Sequence, residues 1–168
     1  LEIPFPIGSP KIFHYRNKME FTFGDRPWLT EASKADLFKP SFALGLHVPH
    51  RFDKVLDIED CYLQSPLANQ ILNFIKAFAE ASGLAAYSLQ THEAFWRFLV
   101  TREMEYTSDL MVNIITSKED PAMNLLKEKI VMAFPKISSL INGISQKKSQ
   151  VAVSDYEIVL HGQGTIFE

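Results

Sequence analysis

The sequence predicts an α+β fold in which an antiparallel sheet carries two helices on one face. Two segments show the apolar periodicity of helices, and several others show the two-residue alternation or the β-branched and aromatic composition of strands. In the middle of the chain these segments follow the order strand, helix, strand, strand, helix, strand, which is the ferredoxin-like βαββαβ pattern. We expect an N-terminal hairpin and C-terminal strands to extend this core.

The beginning of the chain predicts an extended lead-in followed by a strand. Residues 1–10 contain three prolines and one glycine, a composition typical of extended segments. The chain starts with Leu1 rather than methionine, so we expect it to be a piece of a longer protein in which residues 11–168 form a single domain. Residues 13–24 alternate apolar and polar side chains, which predicts a half-buried strand.

Two further strands and the first helix follow. Residues 31–40 predict a polar loop, residues 42–48 complete a hairpin with the first strand, and residues 55–58 predict a short third strand. Ser65 and Pro66 then provide an N-cap and a proline at the first helical position. The buried side of this helix is predicted from residues at helical spacing, namely Leu67, Ile71, Leu72, Ile75, Phe78 and Ala79.

The second half of the chain predicts a hairpin, a helix and three more strands. Residues 95–106 and 110–116 are rich in apolar, β-branched and aromatic side chains, and the short polar segment between them predicts a turn. Pro121 opens the second helix and Pro135 ends it. The inward residues of that helix are predicted to be Met123, Leu126, Ile130 and Phe134. The further strands are predicted at residues 137–144, 157–160 and 165–167.

The overall composition excludes several classes of protein. The apolar runs fall far short of the ~20 residues that span a bilayer, so we expect no membrane partner. The single cysteine excludes an internal disulfide and a cysteine-rich zinc site, and it suits a reducing compartment, so the cytoplasm is expected. A formal net charge of −3 argues against a dedicated nucleic-acid binder. Any RNA-binding surface must therefore be local.

The motifs indicate no catalytic site. The chain has no Gly-rich phosphate loop after a strand, no G-x-S-x-G, no H-E-x-x-H and no paired cysteines. His47 and His50 could share a turn, but no carboxylate or third histidine stands at metal-ligand spacing, so solvated loop histidines are the better interpretation. The acids Asp57, Glu59 and Asp60 flank a strand end, where carboxylates are usually solvated. We predict no catalytic residue in this chain.

Two local basic clusters are candidates for binding. The first contains Lys11, His14, Arg16 and Lys18 beside Tyr15, and the second contains His47, His50, Arg51 and Lys54. Arginine binds phosphate with two hydrogen bonds, and aromatic rings stack on unpaired bases, so the first cluster has the chemistry of an RNA contact. From composition alone, however, two ordinary solvated patches remain the better interpretation of these clusters.

Two motifs resemble the RNA (uracil-5-)methyltransferase family. They are YRNKMEF at residues 15–21 and GLHVPHRFDKVLDIEDCYLQ at residues 45–64, which contain the YRNK and D-I-x-x-C patterns of that family. Three further segments resemble its blocks in the same order, namely WRFLVTRE from residue 96, DLMVNIIT from residue 109 and GTIFE at the end. The resemblance covers nearly the whole chain and is strongest to the bacterial 23S ribosomal RNA type. It implies methylation of a uridine at C5 with S-adenosylmethionine.

The resemblance also implies that this chain is the central, RNA-recognising domain of a longer enzyme. In the family a small β-barrel domain precedes this region, and a Rossmann-like domain follows it, binds S-adenosylmethionine and carries the catalytic residues. We therefore expect the chain to be inactive alone. We expect it to act as a monomer, together with the remaining domains of the parent chain, on RNA and specifically on 23S ribosomal RNA.

The YRNK motif carries the implied RNA contacts. Arg16 matches a family residue that lines the RNA cleft near the flipped uridine, and Asn17 and Lys18 lie beside it. We add His47 and Arg51 from the second basic cluster as RNA-binding residues. These five residues are the candidate RNA-binding site.

Cys61 has two competing interpretations. It matches the last of four cysteines that hold a [4Fe–4S] cluster in many members of the family, and the resemblance places the other three upstream of this chain. As a ligand separated from its partners, Cys61 should lie near the surface with nothing bonded to sulfur. As a structural residue it should pack as a small hydrophobe and be inert.

A second functional hypothesis stays open. A free-standing ferredoxin-like module that binds a small ligand or a protein, with no RNA role, agrees better with the net acidity and with the lack of a broad basic face. The two family motifs favour the methyltransferase.

Overall fold

The computed structural model describes residues 3–28, 42–148 and 150–168 of the chain. Within these residues, seven strands and two helices follow one another along the chain. They are β1 (Lys18–Gly24), β2 (Ala43–Val48), β3 (Arg51–Asp57), α1 (Pro66–Ala81), β4 (Trp96–Glu103), β5 (Leu110–Thr116), α2 (Ala122–Ala133), β6 (Ile137–Ile144) and β7 (Tyr156–Gly162). Neither helix has the length and apolar character that spanning a membrane requires, and the described part of the chain contains no other candidate.

All seven strands form one sheet in the order β3-β2-β1-β4-β5-β6-β7. Five of the neighbouring pairs are antiparallel, and β5 and β6 are parallel because α2 connects them as a crossover. The predicted α+β class, with a mainly antiparallel sheet and two helices, is confirmed. The order of elements from β3 to β6 along the chain is also the predicted βαββαβ order.

The spatial arrangement differs from a split βαβ unit. β5 and β6 lie directly side by side, so no strand is inserted between the two parallel strands. β3, the first strand of the predicted core, lies at the edge of the sheet, because β2 and β1 separate it from β4. The N-terminal hairpin is thus part of the sheet centre, and the element order alone did not determine the strand order.

The two helices share one face of the sheet and one apolar core. Ser65 caps α1 by accepting a hydrogen bond from the amide of Ala68 at 3.1 Å, as the Ser-Pro pair predicts. Phe74 of α1 and Phe134 at the end of α2 meet edge to face, with ring centroids 5.4 Å apart. Seven of the predicted inward residues are buried in this core, namely Ile71, Leu72, Ile75, Ala79, Met123, Leu126 and Ile130. The other three, Leu67, Phe78 and Phe134, are half-buried and pack against it.

Several predicted boundaries are wrong. β1 begins at Lys18 rather than at residue 13, because the preceding residues pair with a different segment. β3 begins at Arg51 rather than at residue 55. Residues 165–167 form no strand, and the main chain of Phe167 instead bonds to the side chains of Thr107 and Asp109. The predicted polar loop at 31–40 lies outside the described residues.

Candidate nucleic-acid interface

An open groove of about 700 Å³ lies beside the first half of β1. β1 pairs with β4 from Lys18 to Thr22, but it pairs with β2 only from Thr22 to Gly24, so the two strands separate towards the start of β1. The side of β1 that faces β2 is therefore open along its first residues. The groove is lined by Tyr15, Arg16, Asn17, Lys18, Met19, Glu20, Leu46 and Leu63.

The main chain of β1 contributes polar groups to this groove. The carbonyl of Asn17 accepts from the amide of Glu103, so residue 17 turns its main-chain groups towards β4. Because these groups alternate in direction along an antiparallel strand, the amides and carbonyls of Lys18 and Glu20 face away from β4 and into the groove. The groove thus offers donors and acceptors that do not depend on side chains.

Arg16 is the principal cation of the groove. It is exposed just before β1, and its Nε donates to the carbonyl of Lys18 at 3.1 Å. None of the ion pairs found among the described residues includes Arg16. A guanidinium held by one main-chain bond keeps most of its five N–H donors available for a phosphate or a base edge.

The other two residues of the YRNK motif lie in the same groove. Asn17 is exposed, while Lys18 is half-buried and pairs with Glu20 at 2.5 Å. The two side chains are 42% and 48% exposed, so water screens the pair and a phosphate can compete with the carboxylate for the ammonium group. The structure therefore brings together Arg16, Asn17 and Lys18.

His47 and Arg51 do not lie in this groove. The His47 ring is half-buried against β1, with Nε2 3.3 Å from Thr22 Oγ1, and its buried Nδ1 has no hydrogen-bond partner among the described residues. Arg51 stands at the start of β3 and donates to Asp53 through Nε at 3.0 Å and Nη2 at 3.2 Å. That paired hydrogen bond lowers the pKa of Asp53 and raises the pKa of Arg51. The second basic cluster is therefore partly neutralised on its own hairpin.

A short segment before β1 is fixed against the segment that follows Cys61. The amide of His14 donates to the carbonyl of Tyr62 at 2.8 Å, and the amide of Arg16 donates to the carbonyl of Leu63 at 2.9 Å. The sequence analysis did not predict this pairing. Its two partners, Tyr62 and Leu63, lie directly after Cys61 in the second family motif. The sequence analysis also missed Leu46 and Leu63 as groove residues, since neither carries a signal apart from its apolar side chain.

Cys61 is buried rather than at the surface. Only 8% of it is exposed, and it packs in the apolar core beside the start of α1. The expectation of an accessible thiol is therefore wrong. A [4Fe–4S] cluster needs four ligands, typically cysteine thiolates, and this chain has one cysteine. Within the described residues no three His, Cys, Asp or Glu side chains gather to hold a metal ion, so these residues alone do not fit a cluster.

The crevice beyond the parallel strands β5 and β6 does not fit S-adenosylmethionine. In sheets with parallel strands, nucleotide-like ligands bind beyond the carboxyl ends of the strands, next to a Gly-rich turn. The connection between β5 and α2 has no glycine, and its Asp120 carboxylate already accepts from the amide of Ala122 at 2.9 Å. The neighbouring Glu119 accepts from the Tyr156 hydroxyl at 2.9 Å. Acidic side chains therefore occupy that crevice, where a nucleotide-like ligand would need free main-chain amides.

Comparison with known proteins finds relatives that are named RNA methyltransferases. No protein-family model matches it. A protein of Chlorobaculum tepidum named as an uncharacterized RNA methyltransferase is 40% identical over 96% of this chain. Proteins with the same name from Bacteroides thetaiotaomicron and Porphyromonas gingivalis are 37% and 33% identical over 99% and 96% of it. The chain is homologous to a segment of these RNA methyltransferases.

The match covers only part of each RNA methyltransferase. The chain spans 35%, 38% and 36% of the lengths of these three relatives. A solved structure, the tRNA (uracil-54, C5)-methyltransferase of Pyrococcus abyssi in complex with S-adenosyl-L-homocysteine, matches 91% of this chain and 37% of that chain, with a TM-score of 0.60 and 20% identity. That likeness shows a shared fold. The resemblance to RNA methyltransferases drawn from the sequence motifs is confirmed.

Proposed function

We propose that this chain supplies RNA recognition within an S-adenosylmethionine-dependent RNA (uracil-5-)methyltransferase and is inactive alone. The observation that carries the proposal is the Arg16 groove, which lies at the YRNK motif in a chain homologous to RNA methyltransferases. In this proposal the cofactor and the catalytic residues belong to other domains of the parent protein, since the crevice at the parallel strands of this chain does not fit S-adenosylmethionine. The chemistry supplied by that cofactor is donation of its methyl group.

The division of labour has a physical reason. An enzyme that modifies a base must take it out of the stack, which costs a few kcal/mol. Contacts to the flanking phosphates and bases can supply that free energy without touching the reacting atom. A domain with a local cationic groove can make such contacts even though its net charge is −3.

The candidate residues have different roles in this proposal. Arg16 binds a phosphate or base edge directly, and Asn17 and Lys18 add hydrogen bonds along the same groove. His47 and Arg51 form a second, weaker contact on the β2–β3 hairpin, where Arg51 would have to exchange Asp53 for a phosphate. The substrate proposed from the sequence motifs is 23S ribosomal RNA, bound by a monomer in the cytoplasm.

The family resemblance proposes Cys61 as one iron–sulfur ligand of the parent protein, whereas its burial in this chain agrees with the packing interpretation. The residues that follow it, Tyr62 and Leu63, accept hydrogen bonds from the amides of His14 and Arg16 directly before β1. In the parent protein purified without oxygen, Cys61→Ser should remove the visible absorption of an iron–sulfur centre. A colourless wild-type parent protein would leave Cys61 as a packing residue.

The first experiment measures binding of short RNA oligonucleotides to this chain by fluorescence anisotropy at several salt concentrations. Wild-type binding should weaken with salt, and Arg16→Ala should weaken binding and reduce the salt slope by about 0.7 for a single strand, because one phosphate contact is lost. Lys136→Ala, an exposed lysine after α2, is the matched control and should bind as the wild type does. The thermal midpoint of Arg16→Ala should stay unchanged.

The second experiment measures methyl transfer by the parent protein to 23S ribosomal RNA and to tRNA. Transfer to C5 of a uridine in ribosomal RNA, lowered by Arg16→Ala, supports the proposal. Transfer to tRNA alone would overturn the ribosomal assignment. A wild-type chain that binds no RNA, and a parent protein that methylates none, would favour the rival hypothesis of a module that binds a small ligand or a protein.

A further inference from the structure

Two aromatic rings stand exposed beside the Arg16 groove. Phe13 is 59% exposed and Tyr62 is 66% exposed, yet their ring centroids lie only 5.6 Å apart with an interplanar angle of 51°. The His14 ring adjoins both, at 6.5 Å from Phe13 and 6.4 Å from Tyr62. Exposed rings that cluster in this way leave π-faces open to a ligand, whereas rings that contribute to the core would be buried.

The segments that carry these rings are fixed relative to each other. The amide of His14 donates to the carbonyl of Tyr62 at 2.8 Å, and its Nδ1 donates to the carbonyl of Gln64 at 2.5 Å. His14 adopts a left-handed backbone conformation, with φ of 57°, which a residue other than glycine keeps only where its surroundings hold it. The main-chain segments that carry the rings are therefore held in place before any ligand arrives.

The surroundings of the two rings favour a nucleic acid. The pairing that aligns His14 with Tyr62 continues to Arg16 and Leu63, and both of these residues line the groove. The exposed Tyr15 side chain lies between Phe13 and Arg16 in the sequence and lines the same groove. Rings that stack on bases, next to a guanidinium that binds phosphates, are the combination by which proteins hold unpaired nucleotides.

We propose that Phe13 and Tyr62 form a stacking platform for unpaired bases of an RNA strand whose phosphates follow the Arg16 groove. This inference rests on the proposed RNA-recognition function and adds the class of substrate, an unpaired strand rather than a duplex. Every base has a π-face, so the platform tolerates different sequences. The platform thus holds nucleotides next to the modified one without selecting their identity.

The test compares single-stranded and duplex RNA oligonucleotides in the anisotropy assay with this chain. Tyr62→Leu and Phe13→Leu should each weaken binding of the single strand about ten-fold, because each removes one stacked base. The salt slope should not change, since no phosphate contact is lost. Tyr62→Phe keeps the ring and should bind as the wild type does. Tyr156→Leu, at an exposed tyrosine on the far edge strand β7, is the matched control and should also bind normally.

Three results separate this inference from the proposed function. If Arg16→Ala weakens RNA binding while both leucine variants bind as the wild type does, the function stands and the platform is overturned in favour of a protein contact for these rings. If the leucine variants weaken binding of duplex and single strand equally, the assignment to unpaired bases is overturned. If the wild-type chain binds no RNA at any salt concentration, both proposals fail. Thermal midpoints within the error of the wild type exclude unfolding as the cause.

Discussion

Asn69 of α1 binds both main-chain groups of Cys61. Its Oδ1 accepts from the Cys61 amide at 3.1 Å, and its Nδ2 donates to the Cys61 carbonyl at 3.2 Å. The same Oδ1 accepts from Gln64 Nε2 at 2.7 Å, and Gln64 Oε1 accepts from Thr101 Oγ1 at 3.3 Å. One buried side chain thus fixes the segment that carries the thiol and, directly after it, Tyr62.

We expect Asn69→Ala to destabilise the protein by about 1–3 kcal/mol, because it leaves buried main-chain and amide groups without partners. Asn73→Ala is the matched control, since Asn73 lies one turn further along α1 and donates to the carbonyl of Glu59 at 2.8 Å in an exposed position. It should cost less than about 0.5 kcal/mol. Urea unfolding measures both variants, and alkylation of Cys61 under native conditions should be slow in the wild type and faster in Asn69→Ala. Equal losses in the two variants would contradict this account.

The buried guanidinium of Arg97 supports the second prediction. Arg97 is 1% exposed, its Cζ lies 4.4 Å from the centroid of the Tyr87 ring, and its Nη1 donates to the carbonyl of Ser145 at 2.6 Å. The residue therefore joins β4 to the end of β6 across the intervening strand β5. Burial lowers the pKa of Arg97. A guanidinium nevertheless keeps its proton inside proteins, so the side chain is charged.

Arg97→Ala should destabilise the protein by about 3 kcal/mol, because a charged hydrogen bond and the contact with Tyr87 are lost and a cavity is left. Arg102→Ala, at an exposed arginine on the same strand, is the control and should change stability by less than about 0.5 kcal/mol. Chemical denaturation measures both. A stable Arg97→Ala variant would show that the link between β4 and β6 contributes little.

The third prediction concerns acid stability. Asp155 Oδ2 accepts from the amide of Gln146 at 2.9 Å, and its Oδ1 lies 2.9 Å from Lys147 Nζ; these contacts lower the pKa of Asp155. Because the pKa is lower in the folded state, the ionised carboxylate stabilises the protein at pH values above the ordinary aspartate pKa of about 4. This contribution is lost as the pH falls through the folded-state pKa.

Asp155→Asn keeps an acceptor for Gln146 but removes the charge. We expect the variant to be less stable than the wild type at neutral pH, and the difference should shrink as the pH falls below about 4. Thermal midpoints measured across this range test the sign. A difference that stays constant down to low pH would mean that the charge of Asp155 contributes nothing.

Local signals in the sequence identified most helices and strands, but not which segments pair with one another in the fold. Ser65 and Pro66 fixed the start of α1 because capping involves only adjacent residues. The alternating pattern continued through Tyr15, although the chain there pairs with the Tyr62 segment instead of with the sheet. Residues 165–167 have strand composition, yet Thr107 and Asp109 hold Phe167 through side chains that are distant in sequence.

For the candidate site, the sequence indicated which adjacent residues lie together but not how distant residues contact them. Arg16, Asn17 and Lys18 of the YRNK motif line one groove, because consecutive residues stay together in any fold. Their contact with RNA stays a prediction. The sequence did not reveal that Arg51 pairs with Asp53, two residues away. The order of charged residues along a strand does not show which opposite charges form a pair. The hydrogen bond that holds the Cys61 main chain comes from Asn69, eight residues further along, and neither interpretation of Cys61 from the sequence indicated this partner.

The brief contact between β1 and β2 has a consequence for local opening of the native state. Three residue pairs join β2 to β1, and one bridge joins Val55 of β3 to Pro27 after β1, whereas seven pairs join β4 to β5. Amide protons of β2 and β3 should therefore exchange with solvent through an opening that costs less free energy than global unfolding, while those of β4 and β5 exchange last. Because Leu46 of β2 forms one wall of the Arg16 groove, a strand bound there would bridge the two parts of the sheet and slow that exchange.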